Sequence, residues 1–338
     1  VSLLYIDGFD WIVNASLNNN YQGRWTNTGA APNAALVLRS APGASGFGAA
    51  VLLRTNNALT HSIEGGIIQT GYLGFRFVLG TAGTAVTVID FNESGTEQLR
   101  LQVDSSGFWR ILRGVSTILA TGTTMVSSGM WNYIECKWFI HDSTGTFELR
   151  INGSPTPDID LTGADTNNGL ALGVDAIELN GSGLNLYYDD LYIDDAQFHG
   201  DVFVHTIVAD GVGTDADFTP SAGSNFENVE ELPTDNDSTY NESSVVDDRD
   251  RFTHDDLPAD TDVVLGVQVG IWSRKPAAGD REVRVLAYDG VTEAEGAAHS
   301  PASSYSWLYD LFEDHPTDAN PWTESEVNAG QFGYTVES

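Results

Sequence analysis

Two groups of carboxylates are the side chains of this chain whose type and spacing best suit chemistry. Asp189, Asp190, Asp194 and Asp195 crowd one short stretch, and Asp235-Asn236-Asp237 with Glu242 forms the second group. A hard dication takes roughly six to eight oxygens from carboxylates and carbonyls, so calcium is the ion either group would hold. The second group opens like an EF-hand loop, but Tyr240 stands at the sixth position, where that loop needs glycine. The competing reading of both groups is a pair of solvated acidic loops.

Other reactive patterns are missing. There is no Gly-x-Ser-x-Gly elbow for a serine nucleophile. The single cysteine, Cys136, falls on the same strand face as Trp138, which makes it a small core hydrophobe rather than a nucleophile and rules out internal disulfides. His61, His141, His199, His205, His254, His299 and His315 contain no i, i+4 pair of the kind zinc sites use. The glycines at Gly43, Gly46 and Gly48 lack the lysine and spacing of a phosphate cradle. Trp11, Tyr21, Trp25 and Tyr72 are candidate sugar platforms by composition, with a plug for the end of a sandwich as the alternative role.

The elements that would position these residues read as β throughout. Trp131 to Ile151 is the organising stretch: Ile134, Cys136, Trp138 and Ile140 alternate with Tyr133, Glu135, Lys137 and Phe139, the period of a half-buried strand. Asp142 to Thr146 is turn chemistry, Phe147, Leu149 and Ile151 make the return strand, and Asn152-Gly153 supplies a further tight turn. Further strands are expected at 3–6, 35–38, 49–53, 71–79, 85–91, 97–103, 108–113 and 185–195. Strands at this spacing with turn signals between them indicate a sandwich or barrel. The absence of a three-turn amphipathic helix disfavours a parallel α/β fold. If the first strand pairs near the closing one, Asp7 and Asp10 approach the Asp189–Asp195 group.

The charge divides the chain. Of 48 acidic residues against 15 basic ones, a net −33, residues 1–200 hold 19 and 9, while 201–338 hold 29 and 6. Two domains are expected, 1–199 and 200–338. In the second, strands are expected at 202–209, 263–272, 281–288, 305–312 and 332–336. The polar tract 210–262 reads as an ordered loop layer pinned by Phe218, Phe226, Val229, Tyr240, Val245, Val246, Phe252 and Leu257. A short helix starts at Thr323, with Glu326 completing a capping box. The fold class is therefore all-β: two antiparallel, jelly-roll-like sandwich domains and one short helix near the C-terminus.

Such acidity opposes binding to a nucleic-acid backbone, which needs a basic footprint, and to anionic membranes. No apolar run reaches the ~18 residues of a membrane span, and Asp7 and Asp10 interrupt any signal-peptide core. One cysteine suits folding in a reducing cytosol.

The hairpin opened by Trp131, the Asn152-Gly153 turn, the closing stretch from Asn185 to Asp195 and the Asp7-Gly8-Phe9-Asp10 element resemble a concanavalin A-like/laminin G-like jelly roll of tailed-bacteriophage structural proteins. The segment from Ser224 to Pro233 and the Trp322–Asn328 stretch resemble the C-terminal region of such proteins. The resemblance implies a virion protein, assembled in the host cytoplasm, that acts as a capsid or neck decoration or spike. A tail fibre, a minor tail protein or a carbohydrate-binding adhesin is the alternative. It implies other virion proteins as partners, self-association with a trimer among the options, and a host glycan in the adhesin case. Related glycanases carry Glu-x-Asp-x-x-Glu on one strand, a string this chain lacks; Asp158-Ile159-Asp160 and Asp189-Asp190 come nearest. No catalytic residues and no cofactor other than calcium are therefore expected.

Overall fold

The computed structural model describes residues 3–10, 22–27, 50–53, 58–81, 83–169, 171–181, 185–232, 234–259, 261, 263–277 and 279–338. The chain forms two compact antiparallel β units. The first contains the opening strand and Trp25–Val204; the second contains His205–Ser338 with residues 22–24.

The first unit is a sandwich of two sheets. One sheet runs in the order β1 (Leu3–Asp7), β14 (Leu186–Asp194), β5 (Thr70–Leu79), β10 (Asn132–Phe139), β11 (Gly145–Ile151) and β12 (Ile159–Ala164), with β3 (Val51–Leu53) also on β14. The other runs β2 (Thr26–Asn27), β4 (Ala58–Ser62), β13 (Ala176–Asn180), β6 (Val86–Glu93), β7 (Thr96–Val103), β8 (Phe108–Arg113) and β9 (Thr117–Met125). Aromatic rings lock the two sheets face to face: Phe91 of β6 lies 5.1 Å from Trp138 of β10, and Phe77 of β5 lies 5.5 Å from Trp109 of β8.

The organising hairpin forms as its alternation predicts. Cys136 pairs with Leu149 and Trp138 with Phe147, and Ile134, Cys136 and Trp138 are fully buried. Asn152 and Gly153 both take positive φ, 52° and 68°, as a two-residue turn of that type requires. The opposite face departs from the half-buried expectation, because Tyr133 and Glu135 are buried too. Residues 196–204, an irregular strap, lie over that face. Phe198 meets the Tyr72 ring edge-on at 5.0 Å and sits 4.2 Å under the Arg150 guanidinium, and Gly200 donates its N–H to Glu135 Oε1 at 2.8 Å. The strand expected over 202–209 is thus not formed; β15 (Ala209–Ala216) begins only at the last residue of that range, and residues 200–204 stay with the first unit.

The second unit has a five-stranded sheet, β15 (Ala209–Ala216), β18 (Arg249–His254), β23 (Gln331–Val336), β20 (Val283–Tyr288) and β21 (Glu293–Glu295). Beside it lies the pair β19 (Val267–Ser273) and β22 (Ser306–Phe312). Val269, Val285, Ala287, Phe312, Trp322, Val327 and Phe332 form their shared core. The helix α1 (Glu324–Ala329) carries the expected capping box at Thr323 and Glu326.

The loop layer over 217–248 is held differently from the expectation. Tyr240, Val245 and Val246 are exposed, while a short strand pair, β16 (Thr219–Pro220) with β17 (Asn241–Glu242), and buried amides do the fastening. Asn225 donates to Asp250 Oδ2 at 2.7 Å, and Asn228 donates to Asn241 Oδ1 at 2.9 Å. Among the described residues, five strands escaped the sequence reading in the first unit alone: β2, β4, β9, β12 and β13. β9 is mostly exposed and Thr-rich, so it offers almost no apolar alternation to read. The strand expected over 35–38, and Trp11 and Tyr21, lie outside the described residues.

Candidate functional site

β1 does pair with β14, Asp7 standing opposite Leu191, so the topology brings the first acidic element to the closing strand. Each carboxylate there has its own partners. Asp7 accepts from Tyr5 Oη, Trp25 Nε1 and the Phe9 N–H, each at 2.7 Å. Trp25, one of the sugar-platform candidates, is buried in this way, and Tyr72 is buried under the strap.

β14 loses regular register with β5 between Asp189 and Tyr192, and Asp190 takes a φ of 47°. That bulge turns successive carboxylates to places a straight strand would not reach. Asp190 accepts from Arg76 Nε at 2.7 Å and from the Val204 N–H at 2.8 Å. Arg76 also pairs with Asp201 at 2.5 Å and lies over the Phe203 ring at 4.1 Å. Burial, then the charges of Asp190 and Asp10, push Asp189 up to about 9; burial pushes Asp190 to about 6, with Val204 and Arg76 holding it back.

Asp194 accepts from the N–H groups of Ala196 and Gln197 and lies 2.7 Å from His199 Nε2. Burial would raise it, but these partners together hold its pKa below the usual range. Asp195 is exposed. Of the four expected calcium ligands, then, Asp190 and Asp194 are committed to an arginine and to a histidine respectively.

The second acidic group is dispersed as well. Asp235 accepts from the Thr239 N–H and hydroxyl, and Glu242 lies exposed on β17 opposite Thr219. Asp237 accepts from Arg274 Nη2 at 2.7 Å and Tyr305 Oη at 3.0 Å. Those bonds, Arg274 first, lower its pKa.

This last contact reveals a site that the sequence reading missed. Asn236, at a φ of 62°, accepts from Trp272 Nε1 at 2.9 Å. The Trp272 and Tyr305 rings are parallel within 9° at 5.8 Å, and Arg274 lies 5.2 Å from the Tyr305 ring centre. Trp272 closes β19 opposite Trp307 of β22, and Tyr305 immediately precedes β22. Two half-buried aromatic faces are thereby bordered by a carboxylate, an amide and a guanidinium. The readable signal was an aromatic residue near the close of one strand, Trp272, and another at the opening of its partner, Tyr305.

No protein-family model and no curated protein matches the chain. Solved structures similar to it include domain 4 of AbnA, a GH43 extracellular arabinanase from Geobacillus stearothermophilus in complex with arabinotriose, at 14% identity and a TM-score of 0.41, covering 57% of this chain and 92% of that one. A GH131 β-glucanase catalytic domain from Podospora anserina is 17% identical with a TM-score of 0.38, covering 60% and 99%. Trypanosoma rangeli sialidase is 10% identical with a TM-score of 0.33, covering 45% and 25%. Such likeness concerns the fold alone and assigns no activity.

It nevertheless corrects the expectation that this chain is not an enzyme. The neighbours are for the most part enzymes of glycan cleavage, so excluding catalysis from sequence does not stand. The missing Glu-x-Asp-x-x-Glu string tests only for carboxylates on a single strand. Asp10 and Asp189 come from opposite ends of the first unit's sequence, and Asp189 is raised by burial first, then by the charges of Asp190 and Asp10.

Proposed function

We propose that this chain is an outward-facing component of a tailed-phage virion whose second unit contacts a host-surface glycan at Trp272, Tyr305, Arg274 and Asp237. The observation that carries the reading is the parallel ring pair bordered by Asp237 and Arg274. A sugar offers an apolar C–H face and a rim of hydroxyls. Ring faces receive the first, and a few convergent polar groups orient the second. An acidic surface of this size keeps such a component soluble at high local density. Docking on the particle by the first unit and self-association belong to the same reading.

The test has two parts. Labelled antibody against the chain should decorate intact particles in electron micrographs, and the purified chain should bind host envelope polysaccharide with Trp272→Ala at least about tenfold weaker. Unlabelled particles would remove the virion role. Equal retention of wild type and Trp272→Ala would remove the site.

A further inference from the structure

The histidine spacing in the sequence argued against zinc, yet folding brings one histidine to two carboxylates. A ring nitrogen of His315 and carboxylate oxygens of Asp318 and Glu326 all lie within 4.8 Å of one another. These residues come from the turn after β22 and from α1. Neither 3 nor 11 residues of separation is a helical i, i+4 pair.

The geometry points to a site for a first-row transition dication, with His315 Nδ1, Asp318 and Glu326 as its protein ligands. The second observation behind it is the far side of the imidazole. Asp289, whose side chain is 3% exposed, has Oδ1 fixed by the Val291 and Thr292 N–H groups at 2.8 and 2.7 Å and places Oδ2 3.3 Å from His315 Nε2. A carboxylate beside Nε2 is the outer-shell partner that metal-bound histidines use, with Nδ1 left as the ligand nitrogen. Nδ1 then faces Asp318 Oδ1 at 3.2 Å. A cation between Nδ1 and Asp318, a metal ion or the ring's own proton, satisfies both atoms.

Positioning is firm on the histidine side. Trp322, itself buried, holds the ring perpendicular at a centroid distance of 5.0 Å, and the His315 N–H donates to Asn320 O at 2.8 Å. Glu326 takes both Thr323 bonds of the capping box on Oε2. One nitrogen and two carboxylates suit zinc, nickel or cobalt, with a position left for water. Bonds of about 2.0–2.2 Å require the donors to draw closer than 4.8 Å. Exposed Asp318 supplies that movement by rotating its side chain.

Calorimetric titration of zinc chloride into the EDTA-stripped full chain, at physiological salt and with excess magnesium to saturate the acidic surface, tests the proposal. Wild type should bind one zinc per chain in the micromolar range or tighter. His315→Ala and the surface change Asp318→Ala should each weaken it at least about tenfold, and Asp289→Asn about 10–100-fold with Nδ1 still present. Cobalt should give a visible ligand-field spectrum that His315→Ala abolishes. No stoichiometric zinc on wild type, or unchanged affinity in both His315→Ala and Asp318→Ala, would overturn it and leave a proton as the cation between Nδ1 and Asp318.

Discussion

At the scale of single residues, the acids inside the first unit divide by what faces them. Asp7 accepts from three donors, so replacing it by alanine strands a hydroxyl, an indole N–H and a backbone N–H in the interior. Asp7→Ala should cost about 3 kcal/mol or more, read as a lower urea midpoint at an unchanged slope. Asp189 behaves in the opposite way. Its folded pKa, about 9, lies above the ordinary 3.8, so the folded chain holds a proton that the unfolded chain releases. The stability tied to that proton is complete below pH ~4 and disappears as pH rises through about 9. Asp189→Asn should therefore flatten the fall of melting temperature over this window and raise stability at its alkaline end. An identical pH profile in the mutant would show that Asp189 does not carry the proton.

At the scale of elements, the strap over residues 196–204 explains why β10 is buried on both faces. A chain ending after residue 199 loses the Arg76–Asp201 pair, the Phe203–Arg76 stacking and the Val204–Asp190 hydrogen bond, and leaves buried Asp190 less well partnered. Residues 1–204 should accordingly melt several degrees above residues 1–199, a comparison that calorimetry makes directly. β5 makes a related demand. An added Cβ at Gly74 would overlap the Tyr192 ring, and Tyr192 donates to the same Glu135 oxygen that receives the strap's Gly200. Gly74→Ala should cost about 1–3 kcal/mol and open the strap to protease near His199, a site that stays protected in wild type.

At the scale of the whole molecule, a net charge of −33 makes self-repulsion a global term. Raising salt from ~0.01 M to ~0.1 M shortens the screening length from about 30 Å to about 10 Å, so the melting temperature should rise and then level off, alike for sodium and potassium chloride. A fall instead would mean that ion pairs such as Arg251 with Glu293 and Asp215 outweigh the repulsion. The neighbours among solved structures bear on this scale only through fold, and the proposed glycan contact rests on Trp272 and Tyr305 alone.

The all-β class, the Trp131–Ile151 hairpin, the Asn152-Gly153 turn and the Thr323 capping box were legible in the sequence because period-two alternation, positive φ and an N-cap are each settled within a few neighbouring residues. Tertiary structure alone decided which acids meet which bases. Arg76 reaches Asp190 across 114 residues and Asp201 across 125, and the bulge that turns Asp190 towards it exists only once β14 pairs with β5. The same holds for the Trp272–Asn236 contact and the His315 group: no local period encodes a distance that depends on the order of strands in a sheet.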